Sequence, residues 1–399
     1  MKKLIPIILI LIFVSAFTKS DKKVNPASQL DYCSVQVEKT ISSLKSYNRM
    51  PQDIQPGQQT WKLSSYSGWT GGFWPGILWY DYEHKKKEII KQKADSFTVA
   101  MTPLTIRKAT THDLGFLIFC SFGNGYRLTG NPEYKQAILR TADSLSQMFN
   151  PTIGTLLSWP NMVTRMDWPH NTIIDNMMNL EILFWASKNG GSKKLYEIAD
   201  THAKTTMKNQ FRDDFTSYHV VVYDTITGKK IKGVTHQGYA DNTMWARGQA
   251  WGIYGFTMSA RETGNPEYLD FAKKISKVFI DRLPDDYIPY WDFDAPNIPN
   301  EPRDASAAAI ASSAFLELSV LVKNKKESTY YKSVAEKILA SLSTEKYQAR
   351  DNNYAFLMHS TGHMPNKSQI DIPIIYGDYY YIEALTRLKK IYEGKSIYN

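Results

Sequence analysis

The stretch Arg127–Leu145, RLTGNPEYKQAILRTADSL, returns in altered form at Arg261–Phe279, RETGNPEYLDFAKKISKVF. Each copy leaves an apolar segment, turns at Gly-Asn-Pro and enters a segment of amphipathic period. Asn caps a helix well and Pro fits its first turn, so the pattern reads as helix, turn, helix. Looser copies lie at 187–207, SKNGGSKKLYEIADTHAKTTM, and at 321–342, LVKNKKESTYYKSVAEKILASL. Their tyrosines, Tyr134, Tyr196, Tyr268 and Tyr331, recur every 62 to 72 residues, room for two helices and their loops. Recurrence at a near-constant spacing marks a repeat architecture.

The two helices of each unit differ in character. After the tyrosine, Leu195, Ile198, Ala199, His202 and Ala203 share one face, with Lys194, Glu197, Asp200 and Lys204 away from it. Before the turn the segments are apolar or small all round, as in LGFLIFCSF, MMNLEILFWAS, WGIYGFTMSA and ASAAAIASSAFLELS. A helix apolar on every side must be covered on every side. Six such segments begin near Thr70, Asp113, Asp175, Arg247, Asp304 and Asp378, and alternate with amphipathic ones. This predicts an all-α (α/α)6 toroid, two concentric rings of helices, as a single domain over residues 21–399. The best strand signal, SYHVVVYDTITGKKIKG at 217–233, predicts a small β-hairpin insertion.

In such a ring the inner helices all point the same way. Residues ahead of them, Trp69, His112, Asp113, Asp175, Arg247, Gln249, Arg303, Asp304 and Asp378, then surround one funnel faced by positive helix ends. That funnel suits an anionic ligand. Composition agrees: the 399-residue chain carries a net charge of +9 and 13% aromatic residues, including 10 Trp and 25 Tyr, side chains that cover sugar rings well. Its lysines stand in short groups flanked by acids, HKKKE and KNKKE, which argues against a nucleic-acid stripe. The start, MKKLIPIILILIFVSAFTKS, has the layout of a signal peptide (1–20), so a periplasmic or secreted protein is expected. No other long apolar stretch occurs, so no membrane span is expected. Of the two cysteines, Cys120 sits in LGFLIFCSF and reads as a buried small hydrophobe, so the fold does not look disulfide-dependent.

Asp113 and Asp175 each stand just ahead of an apolar helix. Either one alone reads as an N-cap, although neither has Glu or Gln three residues on to complete a capping box. Two carboxylates facing one funnel are also the minimum equipment for glycosidic chemistry. Arg247 offers a fork for a carboxylate, or else a buried ion pair with an Asp. Trp251 follows one turn later on the same face. His359 and His363 have ligand-like spacing in a segment that does not read as helix, and the acids of YWDFDAPNIPNEPRD lack a calcium-loop pattern. No metal and no cofactor are expected, and no oligomer is implied.

Four segments in order, HDLGF (112–116), NTIIDNMMNL (171–180), THQGYADNTMWARGQAWGIYGF (235–256) and YGDYYYIEAL (376–385), resemble the unsaturated glucuronyl hydrolases, glycoside hydrolase family 88. The resemblance implies an (α/α)6 barrel that acts on oligosaccharides left by polysaccharide lyases, hydrating the C4=C5 bond of the terminal unsaturated uronate. It implies that Asp175 is the general acid and base, and that Asp113 holds sugar hydroxyls and tunes it, with His112 alongside. It further implies Gln237 and Arg247 at the uronate carboxylate, Trp69 and Trp251 stacking on rings, and His219 in the pocket. Burial of Asp175 and the charge of Asp113 are both expected to raise the Asp175 pKa. Lys367 and Ser368 are candidates for a sulfate on the substrate. Three alternatives stand beside this reading: a polysaccharide lyase on the same toroid, an unsaturated rhamnogalacturonyl hydrolase, and a non-catalytic glycan-binding protein.

Overall fold

Asn131, Ser192, Asn265 and Asn324, the residues ending the four repeat turns, each accept a backbone N–H two residues on and start an outer helix. Gly130 and Gly264 close the preceding inner helices at φ 66° and 69°, the left-handed conformation that glycine adopts without strain. The repeat is therefore a cap-and-stop device, used to fold each inner helix back against an amphipathic partner.

The structure is a computed structural model that describes residues 23–398. The expected signal peptide lies outside the described residues. Six amphipathic helices form the outer ring among the described residues: Pro26–Ser43, Glu88–Val99, Pro132–Ser146, Lys193–Asn209, Pro266–Asp281 and Lys325–Leu342. Inside them run Phe73–Lys85, Ala246–Thr263, Ala305–Leu321 and Ile375–Tyr392 as unbroken helices. The second inner helix comes in three pieces, Leu114–Ile118, a π turn Phe119–Gly123, and Asn124–Thr129. The third starts as a 3-10 helix, Ile174–Asn179, and continues as Leu180–Lys188. Each inner helix packs on its neighbours, and the last closes on the first. The predicted double ring is the fold. Every residue from Ala305 to Ser319 is buried, as a helix enclosed on all sides requires.

The hairpin Val220–Tyr223 and Lys230–Val234 forms where the alternation predicts. It is wider than a hairpin. His170–Ile173 pairs antiparallel with Val220–Tyr223, making a three-stranded sheet whose first strand runs directly into Ile174–Asn179. Asp175 is thus delivered by a strand into a tight helical turn. NTII is too short and too apolar to show this in sequence. Two more short hairpins join Arg49–Asp53 to Lys62–Ser65 and Phe149–Asn150 to Thr155–Leu156. Cys33 and Cys120 are both buried free thiols. No helix among the described residues is long and apolar enough to cross a membrane.

Candidate active site

Four aspartates begin or precede inner helices, and they divide into two kinds. Asp304 is a working N-cap, its Oδ1 accepting from the N–H groups of Ser306 and Ala307 at 3.1 and 3.3 Å. Asp378 accepts from the N–H groups of Phe356 and Leu357 at 2.7 and 3.0 Å, pinning a neighbouring loop. Asp113 and Asp175 do neither. Asp113 precedes Leu114 without a side-chain cap, and its Oδ2 takes only the Thr111 hydroxyl, at 2.8 Å. Asp175 lies inside the first turn of its 3-10 helix, and its Oδ2 is buried without a hydrogen-bond partner in the protein. The capping reading is therefore not what these two carboxylates do.

Burial drives the Asp175 pKa up to about 7. The positive charge of Arg247 opposes that rise, the negative charge of Asp113 adds to it, and the nearby Trp251 indole opposes it weakly. The side chain keeps 14% exposure, so the buried carboxyl is still reachable from the cleft. Two histidines attend the pair. His112 Nε2 lies 3.3 Å from Asp113 Oδ1, and His219 Nε2 lies 3.8 Å from Asp175 Oδ2. Burial lowers the pKa of both, so both rings are neutral at pH 7. Beside them Trp251 Nε1 and the Tyr376 hydroxyl are also buried without protein partners. Polar groups that converge unpaired on a carboxyl of raised pKa are the pattern of a catalytic site.

Some expected roles change in the structure. Arg247 is only 2% exposed. Its Nη1 donates to Asp304 at 2.8 Å and to Thr361 O at 2.5 Å, and its Nη2 donates to Gly362 O at 2.6 Å. The ion-pair alternative is the one realised: Arg247 secures the loop at 359–371 and reaches Asp175 only through its field. Gln237 is likewise engaged, donating to Gly362 O at 3.1 Å. Trp251 is 1% exposed, with its ring against Phe116 and Tyr380. It therefore brings an indole N–H rather than an open face to the site, because three inner helices close on the ring. Trp69, by contrast, is 36% exposed and leans on Tyr376 at 5.2 Å, a free edge at the mouth.

The remaining candidates separate. His359 pairs with Asp371 at 2.7 Å, whereas His363 faces His236 at 4.9 Å between ring centres. Among the described residues no cluster of three His, Cys, Asp or Glu is poised for a metal. Asp292 accepts from the Tyr239 and Asp294 N–H groups and the Thr243 hydroxyl, a structural knot. Lys367 and Ser368 sit in an exposed turn, Lys367 at φ 49°. Trp159, His236, Asn179 and Tyr376 belong to the site and were not singled out in sequence. Tyr376 had a signal, as the first aromatic of YGDYYY. Trp159, which packs edge-on against His219 and His236, had none.

A carboxyl protonated near neutrality, a second carboxyl beside it and neutral N–H donors together equip the cleft to protonate a carbon or oxygen and then activate water. Comparison with known proteins bears on which. A family model described as Glycosyl Hydrolase Family 88 matches residues 36–394. An unsaturated glucuronyl hydrolase of Formosa agariphila is 40% identical, the match covering 98% of this chain and 99% of the relative. A crystal structure of an unsaturated glucuronyl hydrolase specific for heparin superposes with a TM-score of 0.87 at 40% identity, over 92% of this chain and 98% of that one. An Asp-to-Asn variant of the Streptococcus agalactiae unsaturated glucuronyl hydrolase, complexed with dGlcA-GalNAc6S, superposes at 0.78 and 29% identity, over 94% and 93% of the two chains. With the family model spanning all four motifs and nearly the whole double ring, this chain belongs to glycosyl hydrolase family 88.

Proposed function

We propose that this chain is an unsaturated glucuronyl hydrolase of glycosaminoglycan-type oligosaccharides, hydrating the C4=C5 bond of the non-reducing unsaturated uronic acid. Protonated Asp175 gives its proton to C4, and positive charge develops at C5 and the ring oxygen. The resulting Asp175 carboxylate takes a proton from water as its oxygen bonds to C5. The hemiketal so formed opens, releasing the shortened sugar chain and a ring-opened keto acid. Asp113 holds the sugar hydroxyls and favours the protonated form of its neighbour. Trp69 covers a ring face at the mouth. Arg247 supplies positive field toward the uronate carboxylate while fixing the loop beside it.

The observation that carries this reading is the uncapped, buried Asp175 with a pKa of about 7, beside a second uncapped aspartate. A vinyl ether needs a proton donor at carbon near neutral pH, and an ordinary surface Asp does not remain protonated there. The relatives named above support the substrate class. We further propose export to the periplasm or beyond, on the strength of the N-terminal sequence pattern. The test is the ultraviolet absorbance of an unsaturated disaccharide mixed with the enzyme: this reading expects it to fall. A rise, as a lyase acting on polymer would give, or tight binding with no change, overturns it.

A further inference from the structure

Asp175 has a histidine neighbour whose protonation pattern the backbone dictates. His219 Nδ1 accepts two main-chain N–H groups, from His236 and from Gln237, both at 3.1 Å. A nitrogen accepting two donors carries no proton, so the single proton of this neutral ring sits on Nε2. That Nε2–H faces Asp175 Oδ2, which is fully enclosed and has no other protein partner. The exposed part of the carboxyl is therefore on the Oδ1 side. At 3.8 Å the contact is longer than a formed hydrogen bond, as catalytic contacts commonly are before substrate closes the site.

The second carboxylate repeats the arrangement. Asn179 Oδ1 accepts the Phe116 N–H at 2.8 Å, which fixes the amide so that its nitrogen points to His112 Nδ1 at 3.2 Å. The His112 proton is thus also on Nε2, toward Asp113 Oδ1 and beside Asn176. Both histidines are buried and neutral, and each turns one N–H on one aspartate.

Resting on the function proposed above, we infer that His219 is a positioning residue: held in its Nε2–H form by two backbone donors, it claims Asp175 Oδ2, so that the proton delivered to C4 rides on Oδ1. His112 does the corresponding work for Asp113. A carboxyl anchored by one oxygen presents its acidic O–H in one direction, and the donor also stabilises the carboxylate left after proton transfer. The other charged or titratable groups facing this pair are Asp113, Arg247 and Tyr376 from the inner helices and His236 and His363 from the loops. None of these forms a hydrogen bond with Oδ2, and the Trp251 indole N–H, which also favours the carboxylate, attends the same carboxyl.

The experiment compares wild type, His219→Leu and His219→Gln on an unsaturated disaccharide across pH. Leu removes the donor, and Gln returns an N–H at a similar reach without a titrating ring. In His219→Leu, kcat is expected to fall about 10- to 100-fold, part of the roughly 10²–10⁴ typical of a positioned general acid, with KM within about twofold. The basic limb of kcat/KM moves to higher pH, because the carboxylate form of Asp175 has lost its donor. His219→Gln recovers most of kcat and moves the limb back. An unmoved limb in the Leu variant, a change mainly in KM, or a Gln variant as impaired as Leu overturns the inference. Should the Leu variant not fold, the Gln variant and the ¹⁵N spectrum of histidine-labelled wild type decide. That spectrum must show Nδ1 of His219 unprotonated across about pH 5 to 8, and a proton there overturns the inference. Wild type inert on every disaccharide sinks the proposed function, whereas active wild type with an unmoved limb sinks only the role of His219.

Discussion

The two ends of the inner ring hold similar residue types in opposite conditions. At the N-terminal end of the inner helices, Asp175, His112, His219, Trp251 and Tyr376 carry buried polar atoms with no protein partner. At the C-terminal end lies a cavity of about 360 Å³ walled by Arg261, Arg387, Glu181, Glu383, Tyr254 and Tyr380, where charges bind one another. Arg261 is gripped by Glu181, Glu262 and Glu317. Arg387 meets Glu317 and Glu383, and Arg127 and Lys390 both meet Glu83. Tyr80, Tyr254 and Ser313 donate to Glu383. The cavity at the paired end is well formed, yet neither uncapped aspartate lines it. Space does not identify the site; unspent hydrogen-bonding capacity does.

The sharpest way to break this contrast is Asp175→Asn. Turnover should drop by about 10³-fold or more, while an unsaturated disaccharide still binds, as calorimetry would read. Comparable turnover to wild type would remove the mouth from the chemistry altogether. At the other end, Arg261→Met leaves three carboxylates around one missing cation and should destabilise the fold by about 3 kcal/mol in urea titration, with kcat nearly unchanged at low temperature. A large kcat loss in folded Arg261→Met protein would mean that the paired end takes part in the reaction.

Acidity sharpens the comparison further. Burial pushes both Asp175 and Glu181 up to about 7, the latter with Arg261 opposing and the charges of Glu262 and Glu317 adding. Glu262 and Glu317 each have a second cation, Lys188 and Arg387, whereas Glu181 shares Arg261 with both of them, which leaves it the carboxyl that keeps its proton. In the role proposed for Asp175 its protonated form is the acid, so kcat/KM should be high below pH 7 and fall as pH rises through about 7. For Glu181 the folded pKa is raised above the unfolded one, so its contribution to stability is full below about 4.5 and lost as pH rises through about 7. Glu181→Gln should flatten the decline of melting temperature between about pH 4.5 and 7 while leaving the rate profile in place. The smallest effect is expected from Lys367→Ala on an unsulfated disaccharide, within about twofold in kcat/KM, since that side chain lies in an exposed turn.

How much of this was legible in the chain follows from what each feature depends on. The double ring was, because cap, stop and all-round apolarity are local and recur. The positions of Asp113 and Asp175 were, because the ring places every inner N-terminus at one end. Arg247 and Trp251 were located and given other duties, since whether a side chain faces a cleft or a loop depends on segments more than a hundred residues away, here Thr361 and Gly362. The charges of the paired end were invisible for the same reason. Glu181, Arg261, Glu317, Glu383 and Arg387 appear one or two at a time in apolar helices, and only closure of the ring brings them together.

The strand His170–Ile173 has one more implication. Ile173 is registered opposite Val220, and the Ile174 N–H is held by the His219 carbonyl at 2.9 Å. The ladder thus works as a ruler between Asp175 and His219. Adding residues at the hairpin tip, 224–229, leaves the graduation untouched. Deleting a single residue within 220–223 turns alternate side chains to the wrong face and carries His219 away from its mark. A designer wishing to graft a new lobe onto this enzyme has a tolerant place to do it, a few residues from a place with no tolerance at all.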